Sequence, residues 1–286
     1  MTHPQNQKSQ ADGIRQAFDF QAANYRQVGK STALERLEKL KRLGDWIMDH
    51  RGEMQKAAYL DFQKPAAEVD LHEIWMLMTE IRHVRRNLKK WMRPRKVKTT
   101  LAVLPAESWI QNEPKGLCLI IAPWNFPFSL TIYPLISAIA AGNCAILKPS
   151  EMTPHCSALI EKMVKELYEE NEVLVFQGDK LVAQALLELP FHHIFFTGSP
   201  QVGKKVMAAA ALHLASVTLE LGGKSPTIID ESADLKDTAE KVAWGKYINN
   251  GQICLAPDYI LIQESIADKF MPVLKTSIKN IFGGNQ

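Results

Sequence analysis

Residues 193–206 read HIFFTGSPQVGKKV, an apolar run followed by a loop with two glycines and the start of an alanine-rich segment. This order predicts a strand, a turn and a helix whose first backbone N–H groups can face an anion. The loop also fits the start of a P-loop, G-x-x-x-x-G-K, but Lys205 stands where that loop needs a hydroxyl for Mg²⁺. Three interpretations stay open for the loop alone: another kind of phosphate site, a P-loop nucleotide hydrolase, or a structural turn.

Similar strand–loop–helix units fill the chain after Pro105. Apolar runs of four to six residues alternate there with helix-like segments, which is typical of a parallel sheet covered on both faces. The sequence therefore predicts an α/β fold with a Rossmann-like, doubly wound parallel sheet. Gly222-Gly223 interrupts these runs and is the predicted domain boundary, because paired glycines break strands. The predicted strands are 117–121, 144–147, 173–176, 193–196, 216–221, 227–230 and 259–262.

The residues before this region are predicted to be helical. Apolar side chains recur there at helical intervals among charged ones, and Leu71, Trp75, Met78 and Ile81 are one such set. The first ninety residues are therefore expected to form amphipathic helices.

Composition narrows the class of protein. A formal net charge of +3 is too small to indicate a polyanionic partner, and the basic stretch 82–98 is interpreted as a solvated helix end rather than a nucleic-acid surface. Four cysteines without a C-x-x-C pair predict neither a metal site nor a disulfide framework. We find no signal-peptide pattern and no uninterrupted apolar run long enough to span a bilayer. These features predict a cytoplasmic protein with reduced thiols.

Polar residues that could take part in chemistry follow the first two predicted strands. Trp124 and Asn125 lie in the proline-rich junction APWNFPFSL, where the Asn amide could donate to a developing oxyanion or could simply cap a helix. Lys148 and Glu151 follow the next strand and could bind phosphate or ribose hydroxyls, or could form a plain charge pair. Open α/β sheets bind ligands at the carboxyl ends of their strands, so we expect these residues to lie near one another.

Glu220 and Cys254 are the candidate base and nucleophile. Glu220 stands between two leucines of a predicted strand, either as a desolvated base with a raised pKa or as an edge-strand side chain that faces solvent. Cys118, Cys144 and Cys156 lie in apolar strands or a helix and are expected to be buried. Cys254 has Gly, Gln, Asn and Pro as neighbours, and such a shaped polar loop suits a reactive thiolate.

In this order, PWNFP, KPSE, FTGSPQVGKKV, LELGGKSP and GQICLAPDY resemble the motifs of the aldehyde dehydrogenase superfamily. APDY and MAAAALHLASVTLELGGKSP look most similar to the class 3-like branch of fatty and aromatic aldehyde dehydrogenases. The resemblance covers essentially the whole chain. It implies N-terminal helices and an NAD(P)-binding domain over 1–222, and the first part of an α/β catalytic domain over 223–286.

The resemblance also implies a reaction, the NAD(P)-dependent oxidation of an aldehyde to a carboxylic acid. Cys254 would attack the aldehyde, Asn125 would stabilise the thiohemiacetal oxyanion together with the Cys254 N–H, and Glu220 would activate the water that hydrolyses the thioester. NAD or NADP would be the cofactor, an aldehyde the partner, and full-length relatives would be homodimers. The implied cofactor-binding residues are Trp124, Lys148, Glu151, Gly198, Ser199 and Gly203.

Members of this family continue well beyond the IFGGNQ that ends this sequence. The resemblance therefore implies a C-terminally truncated chain, and an incomplete catalytic domain is expected to impair activity. Two alternatives remain beside the dehydrogenase: a non-catalytic nucleotide-binding fragment and a P-loop nucleotide hydrolase.

Overall fold

The computed structural model describes residues 4–283, with side chains described for 11–283. Between Glu220 and Leu221 the chain divides into two compact units. Both units combine helices with parallel strands, so the predicted α/β class with a parallel sheet is confirmed. No helix within the described residues is long and apolar enough to cross a membrane.

Helices make up the first ninety residues, as predicted, within the part that the structure describes. α2 begins with a capping box, in which the Glu35 N–H donates to Thr32 Oγ1 and the Thr32 N–H donates to Glu35 Oε2. A widened π-helical turn, Asp70–Ile74, joins α4 to α5. The helices are α1 Pro4–Gly29, α2 Ala33–Asp49, α3 Arg51–Phe62, α4 Ala66–Val69 and α5 Trp75–Trp91.

Two members of the apolar set noted in the sequence do not lie in the core. Leu71 and Trp75 are both exposed. Trp75 lies one position, or about 100° of rotation, away from the buried Ile74, so the apolar spacing in the sequence does not by itself identify the buried face. The buried side chains of α5 are Leu77, Ile81, Val84 and Leu88.

A short antiparallel pair of strands follows α5 and was not predicted. β1 (Arg95–Val97) pairs with β2 (Ser108–Ile110), and Trp109 and Ile110 are exposed. Three-residue strands without a buried face leave no apolar run for a sequence pattern to detect.

The central sheet of the first unit has five strands. They are β3 Leu117–Ile121, β4 Cys144–Lys148, β5 Val173–Val175, β6 His193–Gly198 and β7 Ser216–Leu221. Their order is β5-β4-β3-β6-β7, and β3 pairs in parallel with both β4 and β6. Chain order therefore reverses between β3 and β6, which makes this the switch point at which open α/β sheets bind ligands.

Helices connect these strands: α6 Ser129–Ala141, α7 Pro154–Leu167, α8 Lys180–Leu187 and α9 Pro200–Ala211. α6 contacts β3 and β4 on one side and α2 and α5 on the other. It is buried on most of its surface, because its apolar side chains face both the sheet and the N-terminal helices.

α6 ends at Gly142, which has a left-handed conformation with a φ of 80°. An added Cβ at this position would lie 2.4 Å from Arg36 Nη2, so glycine is required by both conformation and space. Arg36 is itself buried and donates from Nη1 to the carbonyl oxygen of Ala140 at 3.0 Å. The end of α6 is thus closed by a side chain from α2.

The second unit is a small α/β arrangement. Its elements are β8 Ser225–Ile229, α10 Leu235–Tyr247, a 3₁₀ turn Ile248–Gly251, β9 Pro257–Ile262 and α11 Glu264–Phe282. β8 and β9 pair in parallel, and Ile229, Ala239 and Phe270 form the centre of its core. The strands and helices predicted after Gly222 are confirmed.

Candidate active site

The carboxyl ends of the three inner strands carry most of the candidate residues of the first unit. Ile121 at the end of β3 is in register with Lys148 of β4 on one side and with Phe196 of β6 on the other. The loops that follow these strands contain Asn125, Lys148 to Glu151, and Gly198 with Ser199. Parallel register therefore brings them to one edge of the sheet, at its switch point.

The loop that carries Trp124 and Asn125 is held at both ends. At its start the Ala122 N–H donates to the Lys148 carbonyl oxygen at 3.1 Å. At its end Glu73 Oε2 accepts from the Phe128 N–H at 2.8 Å and from the Ser129 N–H at 3.1 Å. Trp124 and Asn125 are half-buried between these anchors.

Glu73 was missed by the sequence analysis. It lies four residues before Leu77, in line with the buried face of α5, and it is fully buried. Its helical spacing from Leu77 was the available signal in the sequence. A carboxylate on the apolar face of a helix is buried, and a buried carboxylate needs a hydrogen-bonding or charged partner.

Lys148 and Glu151 form an ion pair with an Nζ–Oε2 distance of 2.6 Å. The lysine is buried, whereas the Glu151 side chain is 45% exposed. Burial acts to raise the pKa of Glu151, but the hydrogen bond from Lys148 and the other favourable contacts outweigh it, so that the pKa lies below its usual value. Glu151 is therefore an anion at neutral pH that can accept hydrogen bonds from hydroxyl groups.

Gly198 and Ser199 form the turn between β6 and α9. Ser199 Oγ accepts from the Val202 N–H at 3.3 Å and caps α9, whose first residue is Pro200. An added Cβ at Gly198 would lie 2.5 Å from Phe196 Cζ. Because position 198 has no side chain, the backbone of this turn is left uncovered at the N-terminus of a twelve-residue helix, where a ligand can approach it.

The donors around this turn fit a dinucleotide. Thr197 Oγ1, immediately before Gly198, is buried and has no hydrogen-bond partner among the described residues. A helix N-terminus, an unused hydroxyl and the nearby ends of β3 and β4 offer donors to phosphate, and Glu151 offers an acceptor to ribose. Gly203 is already helical, since its N–H donates to the Ser199 carbonyl oxygen, so the chain does not wrap around an anion as a P-loop does.

Glu220 is exposed on β7, an edge strand of the sheet. Of the two sequence interpretations, the structure has the solvent-facing edge side chain rather than a desolvated one. An exposed carboxylate at this position is accessible to water.

Cys254 belongs to the second unit and lies exposed just before β9. Three consecutive left-handed residues lead to it, Asn249, Asn250 and Gly251, with φ values of 49°, 56° and 75°. Asn and Gly tolerate this conformation best, and residues in sparsely populated backbone regions cluster at functional sites. An added Cβ at Gly223 would lie 2.6 Å from the Cys254 carbonyl oxygen, so the chain at the start of this unit passes close beside the cysteine.

The other three cysteines are buried, as predicted. Burial raises the pKa of Cys118 and of Cys144 to about 12, and it also raises that of Cys156. Cys254 is therefore the accessible thiol of the described chain, and it has a polar, shaped loop around it.

Comparison with known proteins identifies relatives over almost all of the chain. The model of the "Aldehyde dehydrogenase family" matches residues 3–286. "Aldehyde dehydrogenase family 3 member B2" of Mus musculus is 40% identical over 95% of this chain and 55% of its own. The structure titled "Substrate bound state of Staphylococcus Aureus AldH" matches with a TM-score of 0.92 and 41% identity, over 95% of this chain and 59% of that one.

A second similar structure is of a dinucleotide complex. "Crystal structure of PnpE in complex with Nicotinamide adenine dinucleotide", from a Pseudomonas protein, matches with a TM-score of 0.84 and 27% identity, over 92% of this chain and 54% of that one. The chain spans 52–60% of the length of the curated relatives that it matches.

Proposed function

The chain belongs to the aldehyde dehydrogenase family, with class 3 members among its relatives, and from this premise we propose that it supports NAD(P)-dependent oxidation of an aldehyde through a cysteine thioester. The observation that carries the proposal is the gathering of Asn125, the Lys148–Glu151 pair and the Gly198 turn at the switch point of the sheet. An aldehyde oxidation needs a cofactor site beside an oxyanion donor, and this edge offers both.

The cofactor-binding residues in this proposal are those at the strand ends. The ion-paired Lys148 and Glu151 would bind the adenosine ribose, and the turn around Gly198, Ser199 and Gly203 would receive the pyrophosphate. Trp124 would line the junction between the cofactor and the substrate. The bound nicotinamide would supply the acceptor for the hydride that leaves the substrate carbon.

The protein's own residues would carry the acyl chemistry. The Cys254 thiolate attacks the carbonyl carbon, and the resulting oxyanion accepts hydrogen bonds from the Asn125 amide and the Cys254 N–H. After oxidation the acyl group is a thioester on Cys254. Glu220 takes a proton from the water that attacks it, which releases the carboxylic acid and the thiolate.

Binding of the cofactor to this chain tests the proposal. Titration calorimetry with NAD⁺ and NADP⁺ is expected to give saturable binding, and Gly198→Trp is expected to abolish it, because the indole would fill the bare turn beside Phe196. The same variant should leave Cys254 reactive toward iodoacetamide and the buried Cys118, Cys144 and Cys156 unreactive, and this protection of the buried thiols serves as the folding control. Absence of dinucleotide binding would contradict the assignment. Mg²⁺-dependent turnover of ATP would contradict it as well and would favour the hydrolase. Binding without any Cys254-dependent ester hydrolysis would favour the non-catalytic fragment.

Cofactor preference gives a second prediction. Glu151→Gln is expected to improve NADP⁺ binding relative to NAD⁺ by roughly tenfold, because two like charges ~4 Å apart repel by between ~1 kcal/mol in water and ~4 kcal/mol near a protein surface. The variant keeps the shape of the side chain and removes its charge. Calorimetric Kd values for both cofactors give the ratio, and an unchanged ratio would remove Glu151 from the ribose site.

The remaining expectations concern the whole protein. A cytoplasmic location is supported by the three buried free thiols of the described chain, which suit a reducing compartment. Homodimer formation, expected for full-length relatives, is proposed on the strength of the family alone.

A further inference from the structure

A buried ion pair lies among the N-terminal helices. Lys64 Nζ is 2.9 Å from Glu73 Oε1, and their side chains are 1% and 0% exposed. Lys64 is held in a tight turn, since Gln63 closes α3 in a left-handed conformation and Pro65 precedes α4. A buried pair of this kind persists only when its remaining hydrogen-bonding capacity is used.

The pair uses that capacity on the chain directly after Asn125. Glu73 Oε2 accepts from the Phe128 and Ser129 N–H groups, so a carboxylate lies at the positive end of α6. Lys64 Nζ lies 4.2 Å from the centre of the Phe126 ring, within cation–π distance. One ion pair thus contacts segment 126–129 twice, through the Phe126 ring and through the N–H groups of Phe128 and Ser129.

The N-terminus of α6 has no side-chain cap from its own residues. Its N-cap residue, Phe128, offers no side-chain hydrogen bond, and Glu73 comes from 55 residues earlier in the chain. α7 is capped in the same way by the distant Asp61 of α3, whereas α8 and α9 are capped by the adjacent Asp179 and Ser199. A distant cap ties the start of α6 to the N-terminal helices, which a local cap would not do.

The other end of α6 is tied in the same way with the opposite charge. The buried Arg36 donates to the carbonyl oxygens of Ala140 at 3.0 Å and of Gly29 at 2.9 Å. A cation at the C-terminus and an anion at the N-terminus both match the helix dipole. α6 is therefore fixed along its axis between Glu73 and Arg36.

We propose that Glu73, neutralised by Lys64, is a positioning residue that sets the place of Asn125 at the sheet edge by holding the first turn of α6. The inference rests on the proposed function in so far as Asn125 is the oxyanion donor. Movement of this first turn displaces Asn125 relative to β3, because only Phe126 and Pro127 separate Asn125 from Phe128.

Two double variants separate the effect of the Glu73 cap on α6 from the effect of the buried charges. Lys64→Met/Glu73→Gln removes both charges and keeps one acceptor oxygen for the α6 N–H groups. Lys64→Met/Glu73→Leu removes both charges and the acceptor. Neither leaves an unpaired buried charge, so both are expected to fold, and their difference reports the cap alone.

The first measurement is the position of the loop. The indole N–H cross-peak of Trp124, assigned with Trp124→Phe, is expected to shift between the two variants by more than its line width. The cross-peaks of Trp109 and Trp244, which lie in β2 and α10, are expected to coincide.

The second measurement is chemical. p-Nitrophenyl acetate acylates Cys254 when the thiolate forms a C–S bond and the resulting oxyanion collapses with loss of p-nitrophenolate, whereas iodoacetamide alkylates the same thiolate by displacement of iodide without an oxyanion. The ratio of the two rates therefore reports oxyanion stabilisation independently of access to the thiol. We expect Lys64→Met/Glu73→Leu to lower this ratio by roughly tenfold relative to Lys64→Met/Glu73→Gln, compared with ~10²–10³-fold for complete removal of a donor. Once Asn125 is replaced by alanine, the same change at position 73 should have no further effect.

Identical Trp124 cross-peaks in the two variants would overturn the proposal, and so would a ratio that falls equally with and without Asn125. An unchanged ratio in Asn125→Ala alone would instead refute the oxyanion role in the proposed function. The Trp124 cross-peak then decides the positioning inference by itself.

Discussion

Cys254→Ala is expected to abolish acylation of the native chain by p-nitrophenyl acetate. Cys254 is the exposed cysteine, and the other three thiols are buried. At about pH 8, a thiol with the raised pKa of Cys118 or Cys144, about 12, is ionised to roughly one part in ten thousand, and only the thiolate attacks an ester. The acylation rate should therefore fall by ~10³-fold or more, as measured by the release of p-nitrophenolate.

Cys118→Ala is the matched control for this experiment. It removes a buried cysteine of the central sheet and should leave the acylation rate within about twofold of the parent. Mass spectrometry of the acylated protein should place the acetyl group on the peptide that contains Cys254. An acetyl group on Cys118, Cys144 or Cys156, or a rate unaffected by Cys254→Ala, would contradict the assignment of the nucleophile.

Glu73→Leu is expected to have the largest effect on stability. It leaves Lys64 buried without its partner and the α6 N–H groups without their acceptor, and breaking a buried pair on one side typically costs ~3–5 kcal/mol of the free energy of unfolding. Lys64→Met in the same chain should restore a large part of this loss, because a buried methionine needs no counter-charge.

Urea denaturation followed by tryptophan fluorescence measures this effect. A Trp244→Phe background confines the signal to the first unit, since the other five tryptophans precede Glu220. Equal stability of Glu73→Leu and Lys64→Met/Glu73→Leu would show that the lost energy does not come from the unpaired lysine.

The elements after Pro105 were predictable because each strand is short, apolar and followed by a helix. β3 was predicted with its observed bounds, and β4 and β6 were extended by only one or two residues. β3 and β4 are buried on both faces, so their composition reflects their structure directly. The pair β1–β2 has no buried face and therefore leaves no comparable pattern.

The candidate residues at the sheet edge were predictable for a related reason. Their loops follow apolar strands, and parallel pairing brings the ends of such strands together. The residues that hold these loops were not predictable in the same way. Glu73 and Arg36 act 55 and 104 positions away along the chain, and no local pattern in a single sequence reports such a contact.

The two charged contacts of α6 also have a consequence for the order in which the chain assembles. Because synthesis proceeds from the N-terminus, the residues of α2 and of the π-helical turn that carries Glu73 are made before those of α6. α6 then packs between Glu73 and Arg36, whose opposite charges match opposite ends of the helix dipole. This charge arrangement disfavours docking of α6 in the reversed direction. A chain that started after residue 73 would lack both Arg36 and Glu73. No charged side chain from these helices would then distinguish the N-terminus of α6 from its C-terminus. The N-terminal helices thus set the direction of α6 as well as cover it.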